Sequence, residues 1–184
     1  MIASYRLAVA AISAAVVLAS VVSCSSNGGR NVNESLTSDD ARDRTTEYFE
    51  QSLAALPPGA RLDRVHPDLP SSGVGFGGFK PCYDSNTITD GPQYFGASYW
   101  VVDGGDGRAG LKALMARWNE WGWTVEDATV DGGNSARGAS SEDYRLTVKI
   151  STNGFLSLSG SSPCFPFENG ADLDAQAPGT IEQP

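Results

Sequence analysis

The sequence predicts an α+β fold: a mainly antiparallel sheet of about four strands, with two helices packed on one face and one disulfide as a staple. Three observations carry this. Two stretches repeat apolar residues at spacings of three and four, the period of a helix with one buried face. Other stretches are aromatic and β-branched, and one of them, Tyr144 to Ile150, alternates apolar with polar. Cys82 and Cys164 remain as an even pair once Cys24 is assigned elsewhere.

The first helix starts near Ser38. Thr37 or Ser38 can cap it, and Asp39 and Asp40 sit in the first turn, where the helix dipole favours anions. Ala41, Thr45, Tyr48, Phe49, Ser52, Leu53 and Leu56 make its buried face, and Pro57-Pro58-Gly59 stops it. Residues 60–92 are rich in Pro and Gly and predict irregular extended chain with one short strand near Phe79 to Tyr83. Gln93 to Val102 reads as a strand, Asp103 to Gly107 as a turn. Arg108 to Trp121 reads as the second helix, with Leu111, Leu114, Met115, Trp118 and Trp121 on one face and Gly122 ending it.

Trp123 to Val130 predicts a strand, and Asp131 to Asp143 a Gly and Ser-rich loop. Tyr144 to Ile150 and Phe155 to Ser159 then form a hairpin. A two-residue turn at Asn153-Gly154 would put the two apolar faces on opposite sides. A three-residue loop, Thr152 to Gly154, pairs Ile150 with Leu156 and Val148 with Leu158, with Gly154 at positive φ. The ordered ectodomain is expected over residues 38–167, and residues 168–184 are expected to be a disordered acidic tail.

The N-terminus carries an address. Met1 to Arg6 is a short basic region, and Leu7 to Val22 is almost wholly apolar but shorter than the ~20 residues that cross a bilayer. Val21-Val22-Ser23-Cys24 closes it as a lipobox, which predicts a signal peptide over residues 1–23 and a diacylglyceryl thioether on Cys24. Two or more acyl chains, palmitate among them, make a lasting anchor. Residues 24–37 read as a flexible tether, whose 12 coil residues would span about 20 Å. Removing residues 1–23 takes away Arg6 and no acid, so the net charge moves from −9 to −10. Such a surface repels phosphate backbones and anionic head groups. Nucleic acid is disfavoured as a partner, and the membrane is expected to be met through the lipid on Cys24. In the oxidising space beyond that membrane, Cys82 and Cys164 are expected to form a disulfide. In the chain-entropy model, closing a loop of ~80 residues stabilises by about 4–5 kcal/mol.

The candidate chemistry is sparse. Gly105-Asp106-Gly107-Arg108-Ala109-Gly110 matches G-x-G-x-x-G between a strand and a helix. The downstream antiparallel pattern and the acids Asp103 and Asp106 at the phosphate position argue for a plain Gly-rich turn, and no cofactor is expected. Asp90, Asp103 and Asp106 do not fit an EF-hand spacing, and no metal is expected. His66 is the only histidine and precedes Pro67, which favours an extended loop; a packing role outweighs a catalytic one. Glu120, Glu126, Asp127 and Glu142 fall where solvated faces or turns are expected. Trp100, Trp118, Trp121 and Trp123 are expected in the helix-to-sheet core, with the walls of a ligand pocket as the functional alternative.

The lipobox, the Pro81-Cys82-Tyr83 segment, Trp121-Gly122-Trp123 after an amphipathic helix and Ser161-Ser162-Pro163-Cys164 after a terminal strand resemble small mycobacterial lipoproteins, most closely the LppA-like group. An excess of Arg over Lys, beside much Ala and Gly, resembles an actinobacterial coding bias. The resemblance implies a cell-envelope lipoprotein with a disulfide-bonded α+β ectodomain and carries over no catalytic residues. The sequence thus predicts a protein held on the extracytoplasmic face of the cell membrane. Its expected role is a non-enzymatic binding or accessory domain for an envelope protein or a small amphiphile. The alternatives are an envelope hydrolase using His66 or an acidic pair, and a structural component of an envelope assembly.

Overall fold

The computed structural model describes residues 31–74, 77–83, 90–127 and 132–184, so Cys24 and the expected signal peptide lie outside the described residues. Two helices form where capping and periodicity agree. In α1, Ser38–Leu53, the Thr37 hydroxyl accepts from the Asp40 amide at 3.2 Å and donates to the Asp40 carboxylate at 2.7 Å. In α2, Gly107–Glu120, the Asp106 carboxylate accepts from the Ala109 amide at 2.8 Å, and Gly122 follows the helix at φ +73. Each cap satisfies amide donors that the first helical turn leaves without intrahelical acceptors. Among the described residues no helix is long and apolar enough to cross a membrane.

The sheet corrects the expected strand count. Instead of about four strands there are eight in one antiparallel sheet, with a further two-stranded sheet beside it. The strands are β1 (Arg61–Asp63), β2 (Val65–His66), β3 (Leu69–Gly73), β4 (Gly78–Pro81), β5 (Gln93–Val102), β6 (Thr124–Asp127), β7 (Ser135–Ala139), β8 (Arg145–Ile150), β9 (Leu156–Ser161) and β10 (Thr180–Glu182). The main sheet runs β10-β1-β5-β9-β8-β7-β6. The strand β4 lies on the same flank of β5 as β1 but at its other end, and β2 and β3 form the separate hairpin. The added strands are short and carry few large apolar residues. In β1 only Leu62 is buried, and in β10 only Ile181 is, so neither shows an alternating pattern.

Residues 180–182 pair with β1 where a disordered tail is expected from sequence, and Ile181 is 4% exposed. The Gln183 side chain donates to the carbonyls of Leu53 and Leu56 at the end of α1. Towards the other terminus Val32, within the expected tether, bridges Cys164. The expected disulfide is present, joining Cys82 to Cys164 with 6.3 Å between their Cα atoms.

The hairpin register is as derived from the apolar pattern: Ile150 opposes Leu156, Val148 opposes Leu158, and Gly154 has φ +86. Both helices lie on one face. Phe49 of α1 meets Tyr99 edge-on at 5.3 Å. A Cβ at Gly138 would stand 2.9 Å from the Trp118 ring of α2, so that ring sits directly on the β7 backbone. One row across this face reads Tyr99, Leu158, Val148 and Ala136, all buried.

Candidate functional site

The opposite face of the same strands carries neither α1 nor α2. Alternation along β5, β7, β8 and β9 turns toward it Tyr94, Ser98, Arg137, Arg145, Thr147, Lys149, Ser157, Ser159 and Ser161, and Lys80 joins them from β4 opposite Tyr94. It forms a shallow, open groove of about 580 Å³, within the usual range for small-ligand sites. Its middle row reads Ser98, Ser159, Thr147 and Arg137, one residue out of step with the buried row. The Ser98 hydroxyl donates to that of Ser159 at 2.9 Å, which leaves the Ser159 proton to point elsewhere. One edge of the Tyr94 ring leans over Gly96, where a Cβ would meet its Cε2 at 3.1 Å.

The charges here run against those of the whole chain, which has net charge −9. Arg145 is fixed by two hydrogen bonds to one Asp143 carboxylate oxygen, at 2.9 and 2.7 Å. Lys80, Arg137 and Lys149 make no ion pair within 4.0 Å among the described residues. Glu126 is the cross-strand neighbour of Arg137, so the groove lining contains two carboxylates, Glu126 and Asp143, beside its cations. Elsewhere the described arginines are consumed: Arg42, Arg44, Arg61 and Arg117 by carboxylates, Arg64 by the Ala177 carbonyl, Arg108 by Gly133 and Asn134.

The tryptophans separate into two groups. Trp118 is fully buried and donates from Nε1 to the Ser52 hydroxyl at 3.1 Å. Trp121 and Trp123 stack around Tyr48 at 5.7 and 4.8 Å, which closes the helix-to-sheet core. Trp100 stands on the other face, where its Nε1 donates to the Ser72 carbonyl at 2.6 Å and the β2–β3 hairpin folds over it. None of the four lines the groove.

His66 is buried in that hairpin, 4.2 Å from the Phe155 ring and 6.1 Å from the Trp100 ring. Its Nδ1 accepts from the Asp68 amide at 3.2 Å. The hydrogen bond and the two rings give it a packing role. Asp103 pairs with Arg61, and Asp106 is spent on capping α2. The start of α2 packs against the β8–β9 turn, where a Cβ at Gly107 would strike the Gly154 carbonyl. Its glycines thus serve close packing. Among the described residues no group of three His, Cys, Asp or Glu side chains could hold a metal. Glu120 pairs with Arg117, while Asp127 and Glu142 are exposed.

Burial pushes the phenols of Tyr99 and Tyr144 up to about 12. Both lie on the helix side, where Tyr99 donates to the Pro178 carbonyl at 2.9 Å and Tyr144 meets Tyr48 edge-on at 5.3 Å. The open face went unread because Arg137 lies in β7, which the sequence presents as loop. The serines of β9 and the cations of β8 were visible as the polar half of an alternating hairpin. Comparison with protein-family models, with curated proteins and with solved structures gives no match to this chain.

Proposed function

We propose that the chain is a lipid-anchored, extracytoplasmic binding domain without catalysis of its own, and that the open sheet face recognises a hydrophilic ligand. The observation that carries the reading is the contrast between the two faces. The strands bury a full apolar row on one side and present hydroxyls and cations on the other. The lipobox ending at Cys24 supports the anchor. The Cys82–Cys164 disulfide supports an oxidising compartment.

A small amphiphile fits less well than the sequence suggests, because the aromatic rings that would line its pocket are packed into the core or under the hairpin. Protein interfaces are apolar at their buried centre, yet among the described residues the exposed large apolar side chains are Val65, Tyr83 and Phe167, none of them on the groove.

Two measurements test the proposal. Labelled palmitate fed to the host is expected in the membrane-bound chain and lost in Cys24→Ala; equal label in both sinks the anchor. Native mass spectrometry of the full chain, extracted from its host in mild detergent, is expected to show a retained non-protein ligand. Its replacement by a retained protein subunit would refute the hydrophilic-ligand reading.

A further inference from the structure

The open face has a chemistry that narrows its ligand, and the narrowing rests on the proposed role of that face as a recognition surface. Arg137 on β7 and Arg145 on β8 are diagonal neighbours, since Arg137 opposes Thr147 and Ala139 opposes Arg145. Diagonal neighbours on one face stand about 7–8 Å apart, close enough for both guanidiniums to reach one anion and close enough to repel without one. Arg145 is held in place by Asp143, which leaves its Nη1 without a partner among the described residues. Arg137 has no ion pair there either, although Glu126 faces it across the strand pair. Arginine offers a planar fork that matches carboxylate and phosphate.

Beside this pair run the hydroxyls of Ser98, Ser159 and Thr147, and beyond them one edge of the Tyr94 ring leans over Gly96. Hydroxyl rows suit a partner that is itself rich in hydroxyls. Strands are about 4.8 Å apart, so the path from Lys80 on β4 across β5 and β9 to Arg145 on β8 is about 14 Å, the length of about three sugar rings. The flanking Glu126 and Asp143, and the net charge of −9, oppose a long polyanion such as a nucleic acid.

We propose that the open sheet face binds a short anionic oligosaccharide, its acidic group between Arg137 and Arg145 and its rings over the hydroxyl row.

The test is calorimetric titration of the full chain in detergent micelles with trigalacturonate and with its neutral counterpart galactotriose. Trigalacturonate is expected to bind, to weaken as salt rises, and to lose roughly tenfold or more in affinity in Arg137→Ala/Arg145→Ala. Arg137→Lys is expected to fall between the two, and Lys112→Ala, on the exposed side of α2, to bind as the unaltered chain does. Circular dichroism melting of each variant checks that the fold is kept. Equal binding of galactotriose overturns the anionic ligand while leaving the open face as the recognition surface. Trigalacturonate binding that survives loss of both arginines overturns the ligand's place on this face and the reading of the face together. Absence of trigalacturonate binding overturns the inference, and the retained-ligand measurement then decides the wider reading separately.

Discussion

The two faces of the main sheet are built by the same strands, one residue out of step, and share almost no chemistry. The covered face reads Tyr99, Leu158, Val148 and Ala136 across four strands; the open face reads Ser98, Ser159, Thr147 and Arg137. The first row is fully removed from water by two helices. The second is only half-buried in its serines and threonine and exposed at Arg137. Stability is thus concentrated on one side of each strand, which leaves the other side free to carry groups that add little to folding. A sheet whose open side held apolar residues would invite association instead.

The sharpest way to break this comparison is to substitute adjacent residues of β9. Leu158→Ala removes a fully buried side chain from the covered row and is expected to cost about 3 kcal/mol in urea unfolding. Ser159→Ala, one residue on, is expected to stay within about 0.5 kcal/mol. Similar costs at both positions would mean that the open face is buried in solution.

A second separation comes from pH. Tyr99 and Tyr144 sit on the covered side, with phenols raised to about 12 by burial. Folding therefore favours their neutral form. That contribution is fully present below the unfolded value of about 10 and is lost as pH rises from about 10 to about 12. The loss is about 2 kcal/mol for each ring. Denaturant midpoints measured from pH 8 to 12 are expected to fall across that window, and Tyr99→Phe is expected to flatten the fall. A midpoint independent of pH up to 12 would show that these phenols reach water.

Legibility in the sequence follows the same division. The helices were readable because a cap and a 3.6-residue period coincide, at Thr37 with Ala41 to Leu53 and at Asp106 with Leu111 to Trp118. The β8–β9 register was readable because only one pairing makes Ile150, Val148, Leu156 and Leu158 one surface. The strand β7 was not, because its covered positions are Ala136 and Gly138, and the space above Gly138 is filled by the rings of Trp118 on α2 and of Trp123. Hydrophobicity supplied by a distant helix leaves no mark on the strand beneath it. With β7 unread, Arg137 had no strand to stand on, and its diagonal relation to Arg145 was out of reach. The tail around Ile181 was hidden for a similar reason, since one buried residue in an acidic, Pro-rich stretch has no period.

Gly138 offers a third test, with a smaller effect. A Cβ there would press on the Trp118 ring at 2.9 Å, so Gly138→Ala is expected to cost about 1 kcal/mol and to red-shift the fluorescence of the buried indole. The mirror change Ala139→Ser, on the open side of the same strand, is expected to leave both unchanged. An indole that ignores Gly138→Ala would place α2 further from β7 than the close approach described above.

The smallest expected effect is at Arg137, and it discriminates most about function. The side chain is exposed and makes no hydrogen bond or ion pair among the described residues. Its neighbour Glu126 lies across an exposed strand pair, where such a charge pair contributes about 0–1 kcal/mol. Arg137→Ala is therefore expected to change unfolding stability by less than about 0.5 kcal/mol. Diagonal repulsion by Arg145 pushes the other way, so the substitution can be slightly stabilising at low salt, and the difference is expected to fade above about 0.5 M salt. A residue that costs the fold nothing to lose, beside a second arginine held ready by Asp143, is placed for something other than folding. If Arg137→Ala instead destabilises by 2 kcal/mol or more, Arg137 is part of the scaffold, and the division of labour between the two faces fails at the residue that defines it.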